Sequence, residues 1–328
     1  MPVPQPPAVP PAPPVDKAAL DTLLGRLEQE RGRPTIVYWT SQLARISLGV
    51  ELSLFDQLRS LGRKPAIDVV LFTSGGDTEA PWRIVSLIRE FCDKWSVLVP
   101  HRALSAGTLI ALGADEIVMT PLSALGPIDP SRGHPLLPRR EGAQEPEPIS
   151  VQDMRHAMQF IREGAPAGVV YTPEAMARIF SALFDKIHPL AIGAIEQSYA
   201  LAKLIGKRCL ETHMKSIEDP AQIQKIVDRL CDDYKSHSYQ ISRREAKEIG
   251  LKVVDASTEV EEALHDLVKF YVARPVGPFS GGPIRSGQEV KLQIAWMDSL
   301  RLKFRAEQSA VVGPKMEIQP RGDQWVAY

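Results

Sequence analysis

Short apolar runs alternate with helical segments along the first 118 residues of the chain. Residues 35–39, 67–72 and 97–100 are apolar runs of the length of buried strands. Before and between them, residues 17–31, 46–61 and 79–94 carry large apolar side chains at helical spacing. This alternation predicts an α/β fold with a mostly parallel sheet and helices packed over it.

Helical periodicity dominates from Ser150 to residue 271. Ser150 with Asp153 and Ser242 with Glu245 have the spacing of capping boxes, in which the serine side chain holds a free backbone N–H at a helix start. Only one short strand, at residues 253–254, is expected in this part of the chain. The pattern therefore predicts a helical region that follows the sheet.

Proline, glycine and charge indicate where the folded domain begins and ends. Residues 1–15 are rich in proline, and we expect them to be a disordered tail. Residues 16–273 are expected to form the main domain, with residues 131–149 as an exposed loop that is either a lid or an inert insertion. Residues 274–288 have the glycine and proline content of a linker.

The C-terminal segment, residues 289–328, is expected to contain an amphipathic helix. Leu292, Trp296, Leu300 and Phe304 recur at every fourth position, with basic residues among them. A basic amphipathic helix can lie on a membrane, but such a stripe more often packs on the protein body or on another subunit. We therefore expect no membrane contact.

Composition excludes several classes of function. The net charge of −1 over 328 residues does not indicate a nucleic-acid partner. Three scattered cysteines are too few for a disulfide framework or a zinc site, so we expect no metal and no cofactor. No apolar run approaches the roughly 18 residues of a membrane span, and the N-terminus does not have the pattern of a signal peptide. A cytoplasmic location is expected.

Ser105 is the candidate nucleophile. It lies between the run at residues 97–100 and a small-residue helix predicted from Ala106 to residue 114, where a sharp turn would expose its hydroxyl. Gly75 and Gly76 end the preceding strand, and adjacent parallel strands bring such turns together. Their N–H groups, with that of Ala106, are the candidate oxyanion hole. The alternative is that Ser105 only caps its helix.

Residues 67–130 resemble the serine dehydrogenase proteinase family, a relative of signal peptide peptidase A with a Clp-protease/crotonase-like fold. The matching segments are IDVVLFTSGGD, VPHRALSAGTLIALGADEIVM and ALGPIDPS, with Ser74 where the family usually has proline. A second match, SHSYQISRREAKEIGL at residues 236–251, contains His237. The resemblance implies a spiral of β-β-α units and a serine peptidase.

The resemblance leaves the general base open. Clp-type enzymes use a histidine just after the strand that follows the serine helix, but Asp129 is found there, with His134 a few residues further on. Signal peptide peptidase A uses a lysine, and Lys186 is the first lysine after Lys94. His188 and His237 are the remaining candidates, and we rank Lys186 and His237 together. Asp129 either orients a base or caps a turn.

The sequence therefore predicts an ATP-independent serine endopeptidase that acts on peptides or proteins through an acyl-enzyme on Ser105. The resemblance also implies a homo-oligomer. One alternative is an inactive Clp-like scaffold or binding protein, which the uncertain base would permit. The other is a crotonase-type acyl-CoA enzyme, which would need a catalytic carboxylate and no nucleophilic serine.

Overall fold

A mixed sheet of eight strands organises the protein, with helices on both of its faces. The computed structural model describes residues 14–132, 134–138, 149–163, 171–214, 220–279, 284–314 and 317–328. The predicted tail at residues 1–15 lies almost entirely outside these described residues.

The strands are named in chain order. They are β1 (Thr35–Thr40), β2 (Lys64–Phe72), β3 (Cys92–Val99), β4 (Arg102–Ala103), β5 (Glu116–Met119), β6 (Ala124–Leu125), β7 (Ser131–Arg132), β8 (Ile149–Ser150), β9 (Ile241–Ser242), β10 (Val253–Asp255), β11 (Glu289–Asp298), β12 (Lys303–Val312) and β13 (Ile318–Ala327). The large sheet has the order β10-β5-β3-β2-β1-β11-β12-β13, and β4-β6-β9 form a second, three-stranded sheet. Strands β10, β5, β3, β2 and β1 are parallel, which confirms the predicted mostly parallel α/β core.

The helices are likewise named in chain order. They are α1 (Lys17–Arg31), α2 (Glu51–Leu61), α3 (Ala80–Phe91), α4 (Ala106–Ala111), α5 (Val151–Glu163), α6 (Pro173–Lys186), α7 (Pro189–Glu211), α8 (Pro220–Asp228), α9 (Arg243–Ile249) and α10 (Thr258–Val272). The expected caps are present: Asp16 accepts the Ala19 N–H at 2.9 Å, and Ser242 accepts that of Glu245 at 3.3 Å. The predicted helical region after the parallel strands is confirmed.

The parallel strands are buried on both faces, so their side chains alternate between two apolar clusters. Val69 and Leu71 of β2 pack in the cluster that contains α2, α3, α4 and α7. Val70 and Phe72, the residues that alternate with them, pack with α1 and α10 on the other face. The pleat of a strand sends successive side chains to opposite faces, which explains why these strands read as continuous apolar runs.

The prediction of an amphipathic helix within residues 289–328 is wrong. Residues 289–327 form β11, β12 and β13, which continue the large sheet antiparallel from β1. Leu292 and Trp296 are buried on β11. Successive side chains of a strand point to opposite faces, so apolar residues four positions apart fit a strand as well as a helix. Val290 and Ile294 are also buried, and burial is continuous from Leu292 to Asp298, as in a strand that is covered on both faces.

Two other predicted boundaries differ in the structure. Phe279, inside the expected linker, exchanges backbone hydrogen bonds with Lys291, so the described part of that segment pairs with β11. Within residues 131–149, the described ends pair as β7 and β8, and Leu137 is buried. The remainder of this segment lies outside the described residues.

Candidate active site

Ser105 lies on a strained turn between β4 and α4. Its φ of 51° and ψ of −111° make it the one non-glycine residue with positive φ in the described chain. Such a backbone costs on the order of 1–3 kcal/mol and persists only where neighbours hold it. The hydroxyl does not cap α4, and among the described residues no hydrogen bond reaches it. The structure therefore disfavours the capping role and leaves the hydroxyl available.

Thr108 fastens this turn to the neighbouring strand. Its Oγ1 lies 2.9 Å from the carbonyl oxygen of Ala103 and 2.8 Å from that of Gly126. The same oxygen accepts the Gly126 N–H at 3.0 Å. Because Thr108 is fully buried, these bonds replace water that cannot reach the site. They fix the register between the serine turn and the end of β6.

Of the two glycines after β2, Gly75 contacts the serine turn, as the sequence predicts, and Gly76 contacts Ile46. A Cβ on Gly75 would lie 2.9 Å from the Cβ of Ser105, and its φ of +110° is a conformation that side chains rarely adopt. A Cβ on Gly76 would lie 2.2 Å from the carbonyl oxygen of Ile46, which bridges to it. Both positions therefore require glycine, for conformation at Gly75 and for close approach at both.

The backbone N–H groups at this junction are not equivalent. Gly75 donates its N–H to Thr73 Oγ1 at 3.0 Å, so it is already satisfied. In the described chain, the N–H groups of Gly76 and Ala106 have no backbone acceptor. Ala106 directly follows Ser105, and Gly76 directly follows the glycine that contacts it, so both N–H groups are candidates to bind a negatively charged oxygen.

His237 pairs with Asp129. The Nδ1 atom of His237 lies 3.6 Å from Asp129 Oδ2. The carboxylate raises the pKa of His237 and outweighs the opposing effect of burial. The pairing follows from topology, since β9 runs antiparallel to β6 and the chain before Ile241 returns past the chain after Leu125. His237 is half-exposed, whereas Asp129 is buried.

Asp129 is held by two further donors. Ser150 donates its hydroxyl to Asp129 Oδ2 at 2.7 Å, and the backbone N–H of Gln152 donates to Oδ1 at 3.2 Å. Asp129 thus accepts at the start of α5 and also faces His237. The bond from the Gln152 N–H is the capping role that the sequence offered for this residue.

Arg45 is a neighbour of the site that the sequence does not reveal. Its charge is close enough to lower the pKa of both Asp77 and His237, although burial leaves the pKa of Asp77 raised overall. The residue that follows it, Ile46, bridges to Gly76. An exposed arginine in a loop after β1 has no sequence signal, because only the fold places that loop against the glycine turn.

The other three candidate bases are found at the end of α6, at the start of α7 and in the segment 134–138. Lys186 is exposed at the last position of α6, a helix without a buried residue among those described. His188 caps α7, where its Nδ1 accepts the Leu190 N–H at 3.2 Å. His134 similarly accepts the N–H of Leu136 at 3.2 Å. In the described chain no hydrogen bond or ion pair connects any of the candidate bases, His237 included, with Ser105.

The cysteines do not compete with Ser105 as nucleophiles. All three are free and buried. Burial raises the pKa of Cys92 to about 11 and that of Cys209 and Cys231 to about 12, so their thiols stay protonated near neutral pH. Within the described ranges no cluster of side chains has the composition of a metal site. No helix in those ranges is long and apolar enough to cross a membrane.

Comparison with protein families supports the resemblance. Residues 51–150 match the model of the ClpP-like SDH-type serine proteinases. Two uncharacterised proteins of Methanocaldococcus jannaschii are 28% and 23% identical to the chain, over 65% and 76% of its length. The matched regions span 61% and 75% of those two proteins.

Comparison with solved structures finds proteases with low overall similarity. The membrane-bound stomatin-specific protease 1510-N is 18% identical, with a TM-score of 0.36 over 72% of this chain and 84% of that one. ClpP1 from Listeria monocytogenes is 13% identical, with a TM-score of 0.35 over 74% and 99% of the two chains. These scores are too low to support a conclusion about this protein.

Proposed function

We propose that this chain, whose residues 51–150 match the model of the ClpP-like SDH-type serine proteinases, hydrolyses peptide bonds with Ser105 as the nucleophile. The observation that carries the proposal is the serine turn. Ser105 has a strained backbone and an unbonded hydroxyl, and it is pressed against Gly75. A serine with only a structural role would use its hydroxyl as a cap.

His237 is the proposed general base, with Asp129 as the residue that orients it. The Nδ1 of His237 faces the Asp129 carboxylate, which leaves Nε2 to accept a proton. Lys186, by contrast, has no hydrogen bond or ion pair in the described chain that would orient it as a base. Hydrogen bonds between nucleophile and base are often long before substrate binds, so a separated Ser105 and His237 are compatible with this role.

The reaction follows from these roles. Ser105 Oγ attacks the peptide carbonyl carbon while its proton passes to His237 Nε2, and the carbonyl oxygen becomes an oxyanion. The N–H groups of Gly76 and Ala106 hold this oxyanion. His237 then gives the proton to the leaving amine, the C–N bond breaks, and an acyl-enzyme forms on Ser105. Water, deprotonated by His237, hydrolyses the ester and restores the serine.

The proposed oxyanion hole therefore has fewer N–H donors than the sequence predicts. The proposal assigns Gly76 and Ala106 as donors and gives Gly75 the task of allowing close approach, because its own N–H is bonded to Thr73. Removing one oxyanion donor typically costs about 10²–10³ in rate. Endopeptidase specificity, independence of ATP and assembly into a homo-oligomer belong to the same proposal and rest on the family resemblance. The cytoplasmic location stays a prediction from the sequence.

Covalent labelling with a fluorophosphonate probe tests the proposal. We expect the wild-type chain to be labelled, Ser105→Ala to be unlabelled, and His237→Ala to be labelled far more slowly. Lys186→Ala serves as the matched control and should be labelled like the wild type. Circular dichroism establishes that each variant is folded.

Two results would contradict the proposal. If wild type and Ser105→Ala both remain unlabelled from pH 6 to 10, the protein is a scaffold or a binding protein with this fold, or an acyl-CoA enzyme without a nucleophilic serine. If Lys186→Ala loses labelling and His237→Ala retains it, the base is the lysine and the His237–Asp129 pair has another role.

A further inference from the structure

A cavity of about 330 Å³ opens on the face of the sheet opposite α4, where β1 and β2 end. Nothing in the proposed reaction uses it. The residues that line it are Trp39, Ser41, Gln42, Leu43, Phe72, Arg102, Tyr271, Val272, Arg274, Val276, Gly277 and Trp296. Its size is that of a pocket for a small molecule, and none of the lining residues is acidic.

Stacked aromatic rings build the wall of this cavity. The ring of Trp39 lies parallel to Phe72, with centroids 3.8 Å apart, and nearly parallel to Tyr271, with centroids 4.9 Å apart. Two parallel rings this close cannot share one face of the indole, so both faces of Trp39 are covered. Trp39 therefore contacts the cavity with its ring edge. Ring edges are the positive part of the aromatic quadrupole and prefer to meet the face of another ring or an anion.

Arg102 supplies an uncompensated charge to the cavity. Its guanidinium lies over the ring of Phe72, 5.0 Å from the centroid. The side chain is half-buried, its Nε atom has no hydrogen-bond partner, and no ion pair to Arg102 is found in the described part of the chain. A half-buried cation without a partner is costly, and an anionic ligand would remove that cost.

Arg274, the second arginine of the cavity, is already neutralised. Its Nη1 lies 3.4 Å from Asp298 Oδ2 and donates to the hydroxyl of Tyr328 at 3.0 Å. Asp298 balances the charge of Arg274, although the Nε and Nη2 atoms of Arg274 have no hydrogen-bond partner in the described chain. Among the described lining residues, the cation without an acidic partner is Arg102. Leu43 and Val272, which are 56% and 66% exposed, leave apolar surface that a ligand would cover.

We propose that this cavity binds a small aromatic carboxylate, with the carboxylate on Arg102 and the flat ring against the ring edges and the exposed apolar side chains. One negative charge matches the cation that has no acidic partner among the described lining residues, and a planar body matches the edges of Trp39 and its stacked neighbours. The site is distinct from the serine turn, although Arg102 connects the two regions. Its carbonyl oxygen accepts the Thr73 N–H at 3.0 Å, and Ser105 follows three positions later.

The test uses the full chain with Ser105→Ala, so that the result does not depend on catalysis. Calorimetric titration with 2-naphthoate should give saturable binding at a single site. The neutral isostere 2-naphthamide should bind about tenfold more weakly or worse, because a bond to a charged group is lost. Arg102→Gln should weaken 2-naphthoate to a similar degree, and Arg102→Lys should retain part of the affinity.

Two further variants keep the test decisive. Arg208→Gln removes an exposed arginine that also lies over a ring, 5.7 Å from the centroid of Trp82, and should bind 2-naphthoate as before. Val272→Trp places a bulky side chain at the exposed rim and should block binding without touching Arg102. Absence of saturable binding, equal affinity for the acid and the amide, or full affinity in folded Arg102→Gln or Val272→Trp would each overturn the proposal.

Discussion

Asp129 accepts a hydrogen bond from Ser150 at 2.7 Å on the same oxygen that faces His237 at 3.6 Å. The carboxylate is therefore held from behind by α5 while it presents one oxygen to the imidazole. An orienting residue in a catalytic triad has this arrangement, because its own position must be fixed before it can fix the histidine. The relationship leads directly to a pH-dependent prediction.

Asp129→Asn should move the pH dependence of labelling to lower pH. His237 acts as a base only when it is neutral, so the labelling rate rises as pH passes its pKa. The Asp129 carboxylate raises that pKa by favouring the imidazolium. Its removal lowers the pKa, and the rise in rate then occurs at lower pH. The plateau should fall by about 10²-fold or more, because Nδ1 loses the partner that orients the ring.

Fluorophosphonate labelling rates between pH 5 and 9 measure this shift. Asp153→Asn makes the same change of charge at an exposed position in the first turn of α5. It should leave the pH dependence of labelling unchanged. If the labelling rate of Asp129→Asn rises at the same pH as that of the wild type, or at a higher pH, His237 is not the titrating base.

Gly75→Ala should abolish labelling. The added Cβ would lie 2.9 Å from the Cβ of Ser105 on a backbone of φ +110°, so the serine turn must shift. A displacement of about 1 Å at a reacting group can cost about 10²-fold in rate. The thermal midpoint should also fall. Gly25→Ala, in α1 with no atom within 4 Å of the new Cβ, should label normally and be more stable by about 0.5–1 kcal/mol. Normal labelling of Gly75→Ala would refute the close packing of the two turns.

Thr108→Val should destabilise the protein by about 1–3 kcal/mol, because the buried carbonyls of Ala103 and Gly126 and the Gly126 N–H lose their partner. Urea denaturation measures the loss in the free energy of unfolding. Thr22→Val removes a single exposed hydroxyl bond to the carbonyl of Ala18 and is the matched control. Equal stability of the two variants would mean that Thr108 does not fasten the serine turn to β6.

Asp298→Asn should cost about 3–5 kcal/mol, because it leaves the buried Arg274 without a counter-charge. The carboxylate is fully buried and accepts hydrogen bonds from Tyr271 at 2.7 Å and from Tyr328 at 2.8 Å. Asp93→Asn removes an exposed pair with Arg63 and should change stability by less than about 1 kcal/mol. Urea denaturation of both variants tests the difference. A loss of less than about 1 kcal/mol for Asp298→Asn would show that the C-terminal strands do not depend on the contacts of Asp298.

Local sequence determined the core of the fold and half of the site. Strand and helix periods differ, so their alternation up to residue 118 was sufficient to predict parallel strands covered by helices. The meeting of Gly75 and Ser105 follows from the same prediction, because successive parallel strands end at one edge of the sheet. The preferred capping residues also placed several helix starts correctly.

Tertiary structure decided what the sequence left ambiguous. Every fourth apolar position after residue 289 fits a helix and a strand alike, and pairing of β11 with β1 selected the strand. The pairing of β6 with β9 brought His237 to Asp129 across a long stretch of chain, while Lys186 remained on an exposed helix. Periodicity reports only on residues a few positions apart. Contacts between distant segments depend on which surfaces the folded chain buries together, and those contacts paired His237 with Asp129, placed Arg45 and built the cavity around Arg102.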